Sequence, residues 1–278
     1  MTTGKLYLVG TPLGNLEDIT LRAIRTLKEV KLIAAEDTRR TGKLLQHLQI
    51  STPQISYHEH SHHSRIEELL SRLEQGDDIA LVTDAGMPSI SDPGVLLVQA
   101  AIASGVKVIP IPGGTAIISA LATSGLPTDK FVFEGFLPQK ESELLSRLEF
   151  LKDEHRTIVL YEAPHRLRKT LQDLATIVET TRQIVLAREL TKIHEEFWRG
   201  TIEDAIALYK QHQPKGEYTL VLQGAPETKL ITSEAEIKTE LQQLLAQGMT
   251  RSQASRHLAK LTSLSRREIY QLDLDDRF

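Results

Sequence analysis

Six loops carry most of the side chains in this chain that could hold a ligand or move a proton, and each follows a short apolar run. The most informative reads VTDAGMPSISDPG, residues 82–94, where two aspartates stand among turn formers after the run at 79–82. Gly86, Pro88, Pro93 and Gly94 let backbone amides approach a bound molecule closely, and open α/β sheets bind ligands outside the carboxyl ends of their strands. The expectation is a small-molecule site. GTPLGN (10–15) and AEDTRR (35–40) end two further runs, the second bringing Glu36 and Asp37 beside Arg39 and Arg40. The loop Pro112, Gly113, Gly114 and Thr115 precedes a small-residue helix at 116–122. It either presents amides at a helix N-terminus or simply packs helix on sheet. YEAPHRLRKT (161–170) and ARELTKIHEE (187–196) contribute Glu162, His165, Arg166, Arg188, Glu189 and Lys192. These are either polar groups along a cleft, with arginines forked onto phosphate, or charge pairs on exposed helices.

Several familiar chemistries find no pattern here. G-x-G-x-x-G is absent after the first run, which offers only Gly10 and Gly14, and Pro12 removes an amide from the turn. No GK[ST] makes a phosphate loop and no G-x-S-x-G makes a nucleophile elbow. HEHSHH (58–63) reads as a polar loop, since adjacent side chains on a loop rarely converge on one ion and no cysteine assists. The 278 residues contain no cysteine, which removes disulfides and thiolate sites and suits a reducing compartment. A net charge of −4 argues against non-specific coating of nucleic acid. The apolar-rich stretch 95–122 is interrupted by Lys107, Pro110 and Pro112, so it is not read as a membrane span.

The elements that must position these loops follow from periodicity. Runs at 6–9, 32–35, 79–82 and 106–111 alternate with helical patterns, as in the βαβ units of a parallel sheet. Leu21, Ile24, Leu27 and Val30 mark one helix; Ile66, Leu69, Leu70 and Leu73 mark another, with Ser64 and Glu67 placed for a capping box. A domain boundary is placed near 126, before the phenylalanine-rich FVFEGF. Beyond it helices at 142–152, 165–178 and 202–210 alternate with strands at 157–161, 183–187 and 218–222. The fold class is α/β, divided as 1–126, 127–228 and a helical extension 229–278. In that extension Arg251, Arg256, Lys260, Arg266 and Arg267 face only Glu268 before an acidic end, and three short helices with tight turns have the look of a helix-turn-helix. Composition alone reads this as the solvated face of a structural or dimerising cap; phosphate contacts are the sharper reading.

LYLVGTPLGNLEDITLRA, AAEDTRRT, YHEH, VTDAGMPSISDPG, PIPGGTA, FEGFLPQK, YEAPHRL, ARELTKIHEEFWRGT, GEYTLVL and the tail from GMTRSQAS to SRREIYQL occur in this order along essentially the whole chain. In these segments the chain resembles the tetrapyrrole methylase superfamily and, within it, methyltransferases of bacterial small-subunit ribosomal RNA. The resemblance implies two αβα domains of tetrapyrrole methylase type, S-adenosyl-L-methionine in the cleft between them, and a homodimer. It implies methylation of a cytidine ribose 2′-oxygen in 16S rRNA of the 30S subunit near the decoding centre, in the cytoplasm, with no metal and no membrane. A methyltransferase acting on a small tetrapyrrole or corrinoid, or a non-catalytic ribosome-binding module, would share much of the pattern.

Carried over by motif, the cofactor would touch Pro12, Leu13, Gly86, Met87, Ile90, Thr115 and Ala116, with Tyr161, Ala187, Gly216, Glu217 and Tyr218 closing over it. Asp37 and Glu162 are the candidates for removing the hydroxyl proton. RNA contacts are expected from Arg39, Arg40, His165, Arg166, Arg188, Lys192, Arg251, Arg256, Lys260, Arg266 and Arg267. The chain departs from the family pattern at Met87, where threonine is usual, at Gly114 and Thr115 in a variable loop, at Ala163 for serine, and at Gln139 for a basic residue.

Overall fold

The structure is a computed structural model that describes residues 3–58, 63–226, 233–259, 261–262 and 264–272. Two compact units emerge, Met1–Ala225 and Pro226–Phe278. The first holds two five-stranded sheets.

The first sheet contains β1 (Lys5–Val9), β2 (Leu32–Ala35), β3 (Gln54–Ser56), β4 (Ile79–Val82) and β5 (Lys107–Ile111), in the order β3-β2-β4-β1-β5. All its pairings are parallel. Every residue of β2 and β4 is buried, which is why these strands read as unbroken apolar runs and not as alternations. One face carries a core built on Leu6, Leu69, Ile79 and Leu81, the other a core built on Val9, Leu27, Ile33 and Val82. Helices α1 (Leu21–Glu29), α2 (Thr38–His47), α3 (His63–Glu74) and α4 (Val95–Ala103) connect these strands. The capping box expected at Ser64 does not form, because α3 already includes His63 and Ser64 stands inside its first turn.

Helix α5 (Ala116–Ser124) follows the first sheet in sequence but packs on the second. Its Ile117, Ala120 and Leu121 share a core with Val159, Val185, Ala187 and Val221. The segment 1–126 is therefore not closed in its packing: its last helix roofs the sheet that follows. That sheet has the order β6-β7-β10-β8-β9, from β6 (Phe131–Phe136), β7 (Thr157–Glu162), β8 (Gln183–Arg188), β9 (Glu196–Thr201) and β10 (Tyr218–Leu222). Only β6 and β7 run parallel; the other pairings are antiparallel. FVFEGF, which follows the boundary placed near 126, is the edge strand β6, whose register shifts between Phe133 and Gly135 where Gly135 takes a φ of 63°. Helices α6 (Glu141–Lys152), α7 (Pro164–Ala175) and α8 (Ile202–Gln211) cover the other face around Leu148, Leu167, Leu171 and Ile202.

The second unit is a three-helix cluster of α9 (Glu234–Ala246), α10 (Arg251–Leu258) and α11 (Arg266–Gln271) around Ile237, Leu241, Ala254, Leu258 and Ile269. Reciprocal capping boxes at Thr250 with Gln253 and at Ser265 with Glu268 start α10 and α11.

Candidate cofactor cleft and its acidic edge

The loops at the carboxyl ends of β1, β4 and β5 are tied together by backbone. Gly10 N donates to Ile111 O at 3.0 Å, while Thr11 and Gly86 exchange two bonds of 2.9 and 3.1 Å. A Cβ on Gly113 would lie 2.8 Å from Gly10 Cα, so these two glycines are required where the chains cross. The loop after β4 is strained: Ser89 and Ser91 have φ of 71° and 59°, Gly94 has 147°, and Ser89 N donates to Pro93 O at 3.3 Å. Strain of this kind persists only where surrounding structure enforces it, and it concentrates at functional sites.

Above these loops lies a cavity of ≈ 560 Å³. Leu13, Met87, Ile90, Ile117, Ile118, Phe136 and Leu190 form its apolar wall, and Tyr161 packs edge-on to Phe133 at 5.0 Å behind it. Thr115 through Ile118 place the N-terminus of α5 at its margin, where the helix dipole favours a negative group. Polar atoms come from Asp92, Glu162, Lys192, Glu217 and Thr219. One side is held by a clasp: Lys192 Nζ lies 3.0 Å from Glu189 and 2.8 Å from Glu217, and Asn15 N donates to Thr191 Oγ1 at 3.1 Å. The cavity has the features a nucleoside carrying an amino-acid tail needs: an apolar slot for a base, glycine-lined backbone at close range, and a helix N-terminus for a carboxylate.

Along the first sheet's edge Glu36, Asp84 and Asp92 form a group of acids. Glu36 accepts from Asp84 N at 3.1 Å, and its carboxyl is pushed up by burial and by the Asp84 charge. Asp84 pairs with Arg40 at 3.1 Å, yet its Oδ1 is buried without a hydrogen-bond partner among the described residues. Burial, then the charges of Glu36 and Asp84, push Asp92 up to about 7; the Thr83 hydroxyl, which faces it, is the one opposing influence. Tyr161 is pushed up to about 12 by burial and by the Asp92 charge.

The sequence match extends over residues 5–206 to the family model of the tetrapyrrole (corrin/porphyrin) methylases. The chain belongs to that family. Its relatives include a ribosomal RNA small subunit methyltransferase I from Synechocystis, 58% identical over 98% of both chains, and one from Halalkalibacterium halodurans, 46% identical over 97% of this chain and 94% of the other. A third of the same name, from Thermotoga maritima, is 49% identical and matches 80% of this chain and 99% of its own. Among solved structures, the uroporphyrin-III C-methyltransferase of Thermus thermophilus complexed with S-adenosylhomocysteine aligns with a TM-score of 0.57 at 18% identity, covering 78% of this chain and 97% of that one. The methyltransferase CobJ aligns with 0.62 at 19%, covering 80% and 95%. These structural likenesses show the fold.

Of the cofactor residues expected in this methylase, Leu13, Gly86, Met87, Ile90, Thr115, Ala116, Tyr161, Ala187, Glu217 and Tyr218 all line the cavity. Pro12 lines a smaller neighbouring cavity with Arg40, Lys43 and Asp84. Gly216 lies behind the wall at a φ of 80°, where a Cβ would meet Glu189.

The two proton-removal candidates are placed differently. Asp37 is outside the cavity lining; it caps α2 and binds Arg39 through both oxygens, at 3.1 and 2.7 Å, which holds its carboxyl well below the usual range. Glu162 is in the wall but 2% exposed, with one oxygen accepting from Ala163 N at 2.8 Å and the other from the Thr170 hydroxyl.

Several cations expected on RNA are engaged within the fold. Arg166 donates to Leu137 O at 2.7 Å and lies 3.5 Å from Glu162. Arg188 donates to Lys215 O at 2.7 Å and pairs with Glu196 at 3.0 Å. Arg251 reaches Tyr270 O at 3.1 Å and Leu272 O, joining α10 to α11. Arg266 bonds Ser252 Oγ at 2.8 Å while remaining exposed, and His165, Arg256 and Arg267 are also exposed. Arg39 and Arg40 keep 86% and 67% of their side-chain surface exposed despite their pairs. Lys260 and residues 59–62 of the histidine loop lie outside the described residues, among which no group of three His, Cys, Asp or Glu could hold a metal ion. No described helix is long and apolar enough to cross a membrane.

Sequence reasoning missed Asp92, Ile118 and Phe136 as wall residues. Phe136 and Ile118, each 52% exposed, are large apolar groups at the cavity. Asp92 stood inside the quoted loop, and only the folded sheet shows which acids surround it.

Proposed function

We propose that this methylase transfers the methyl group of S-adenosyl-L-methionine to 16S rRNA of the 30S ribosomal subunit, at the ribose 2′-oxygen of a cytidine near the decoding centre. The observation that carries the reading is the cavity at the carboxyl edge of the parallel sheet, walled by the expected cofactor residues, in a chain whose near relatives carry ribosomal RNA names. Identities of 58% and 46% to those relatives support RNA as the acceptor. The donor supplies a methyl group already activated by the sulfonium charge, so the reading assigns no metal.

The protein's part is alignment and exclusion of water. Leu13, Met87, Ile90, Phe136 and Tyr161 shield the reacting region, and alignment of acceptor and donor supplies most of the acceleration. Glu162 acts as a positioning residue, fixing the start of α7 through Ala163 and Thr170. Asp37 fixes the start of α2 and, with it, the direction of Arg39. RNA phosphates fall to the exposed Arg39, Arg40 and His165 and, in the second unit, to Arg256, Arg266 and Arg267. Every residue lining the cavity belongs to the first unit, so the second unit is assigned to RNA affinity and not to chemistry. A cytoplasmic homodimer is part of the reading, supported by Val95, Leu96 and Ile102, three exposed apolar residues of α4.

The test is transfer of label from methyl-labelled S-adenosylmethionine to two acceptors, 30S subunits lacking native methylation and a reduced uroporphyrin. Transfer to the subunits alone is expected. Transfer to the tetrapyrrole alone would replace the RNA reading, and cofactor binding without transfer to either would leave a binding module.

A further inference from the structure

Asp92 has the position and surroundings of a group that exchanges a proton inside the cleft. It lines the cavity itself, unlike Asp37, and among the described residues its carboxyl accepts from no backbone amide, unlike that of Glu162. Three positive φ angles around it, at Ser89, Ser91 and Gly94, and the Ser89 N to Pro93 O bond fix its backbone. A Cβ on Gly135 of β6 would lie 3.2 Å from Ser91 Oγ, so the loop is seated against the second sheet as well as the first. The charged and titratable groups that face it are Glu36 at the end of β2, Asp84 after β4 with its partner Arg40 of α2, and Tyr161 of β7. Thr83, 2% exposed, turns its hydroxyl toward it.

We propose that Asp92 is the catalytic residue that accepts the proton from the acceptor hydroxyl during methyl transfer. The proposal rests on the reading that this protein methylates a ribose oxygen. The acceptor oxygen forms the new bond to the methyl carbon, the carbon–sulfur bond breaks with its electron pair left on sulfur, and the hydroxyl proton passes to the Asp92 carboxylate. The carboxylate becomes a neutral acid and the sulfonium a neutral thioether, so charge is annihilated within the apolar cavity. The acid then returns its proton to water. Burial, and after it the charges of Glu36 and Asp84, make Asp92 a better proton acceptor than an isolated aspartate, because both favour its protonated form. A base with a pKa near working pH combines proton affinity with a substantial ionised fraction, the optimum for general base catalysis.

The test uses the full-length protein and unmethylated 30S subunits, first establishing transfer by the wild type; without it the function reading fails and the role of Asp92 is overturned with it. Single-turnover rates at sub-saturating subunits are then measured from pH 5.5 to 9 for wild type, Asp92→Asn and Asp92→Glu, with S-adenosylhomocysteine affinity measured by calorimetry. The wild-type rate is expected to rise with a single ionisation near 7. Asp92→Asn loses about 10² to 10⁴ in rate together with that ionisation, keeps S-adenosylhomocysteine affinity within about threefold, and is partly rescued in Asp92→Glu. An Asp92→Asn rate within about threefold of wild type with the same pH profile overturns the proposal. So does a rate loss matched by an equal loss of S-adenosylhomocysteine affinity, which would make Asp92 a structural part of the pocket.

Discussion

Replacing Asp92 by Asn should stabilise the protein by an amount that grows as pH rises from about 4 to about 7. In the unfolded chain an aspartate ionises at 3.8, whereas in the fold burial and the charges of Glu36 and Asp84 delay ionisation to about 7. Below about pH 4 the carboxyl is protonated in both states and adds nothing to a pH dependence. As pH rises toward 7 the unfolded chain gives up this proton and the folded protein keeps it, so stability is progressively lost; above 7 the loss is constant. At ~1.4 kcal/mol per pH unit the span from 3.8 to about 7 sets an upper limit of ~4 kcal/mol. The cleft is open to water, and solvent screening brings the expected value to ~1 to 2 kcal/mol. The assay is urea unfolding of wild type and Asp92→Asn at pH 5 and pH 8. The stability difference between the two proteins should grow in favour of Asn by most of that amount, since titrating groups not coupled to Asp92 cancel. A difference that is the same at both pH values, or that favours the wild type at pH 8, refutes the reasoning about the acidic edge.

Glu162→Ala leaves the Ala163 amide and the Thr170 hydroxyl without their buried acceptor. Calorimetric melting should report a loss of about 2 to 3 kcal/mol, and Glu162→Gln should lose less. Gly113→Ala puts a methyl group against the Gly10 backbone, which cannot move without opening the joined loops of β1 and β5. S-adenosylhomocysteine affinity by calorimetry should fall on the order of a hundredfold while far-UV circular dichroism stays native. Arg39→Gln and Arg40→Gln should each lower the slope of log affinity for 30S subunits against log salt by about one, whereas Arg188→Gln, tied to Lys215 and Glu196, should not. Arg251→Ala removes the contacts to Tyr270 and Leu272, and amide exchange in α11 should speed up without change in α5.

The parallel strands were legible because β2 and β4 are buried on both faces and leave unbroken apolar runs. β3 is three half-buried residues, QIS, and β9 reads EFWRGT with no apolar run, so neither declares itself. β6 hid behind its glycine bulge. The packing of α5 on the second sheet was invisible for another reason: its nine residues are nearly all small or apolar, and such a helix does not say which sheet it covers. The cleft was legible through its loops, since glycines and prolines must stand where backbone meets backbone or ligand. Which acid is pushed toward neutrality was not, because Asp92 owes its shift first to burial in the cleft and then to Glu36 and Asp84 at the ends of two strands. The arginines misled in the same way: Arg166 and Arg188 find carbonyl and carboxylate partners 27 or 29 residues away in sequence, or nearer across a turn or a strand pair.

The most direct test of the account is the position of the transferred methyl group. Unmethylated 30S subunits are incubated with the protein and methyl-labelled S-adenosylmethionine, the 16S rRNA is digested to nucleosides and to mapped fragments, and both are read by mass spectrometry. The account predicts a single labelled nucleoside, a cytidine methylated on its ribose 2′-oxygen, in one fragment near the decoding centre. Label on a base, label scattered over many fragments, or no label in RNA from a protein that binds the cofactor would contradict it.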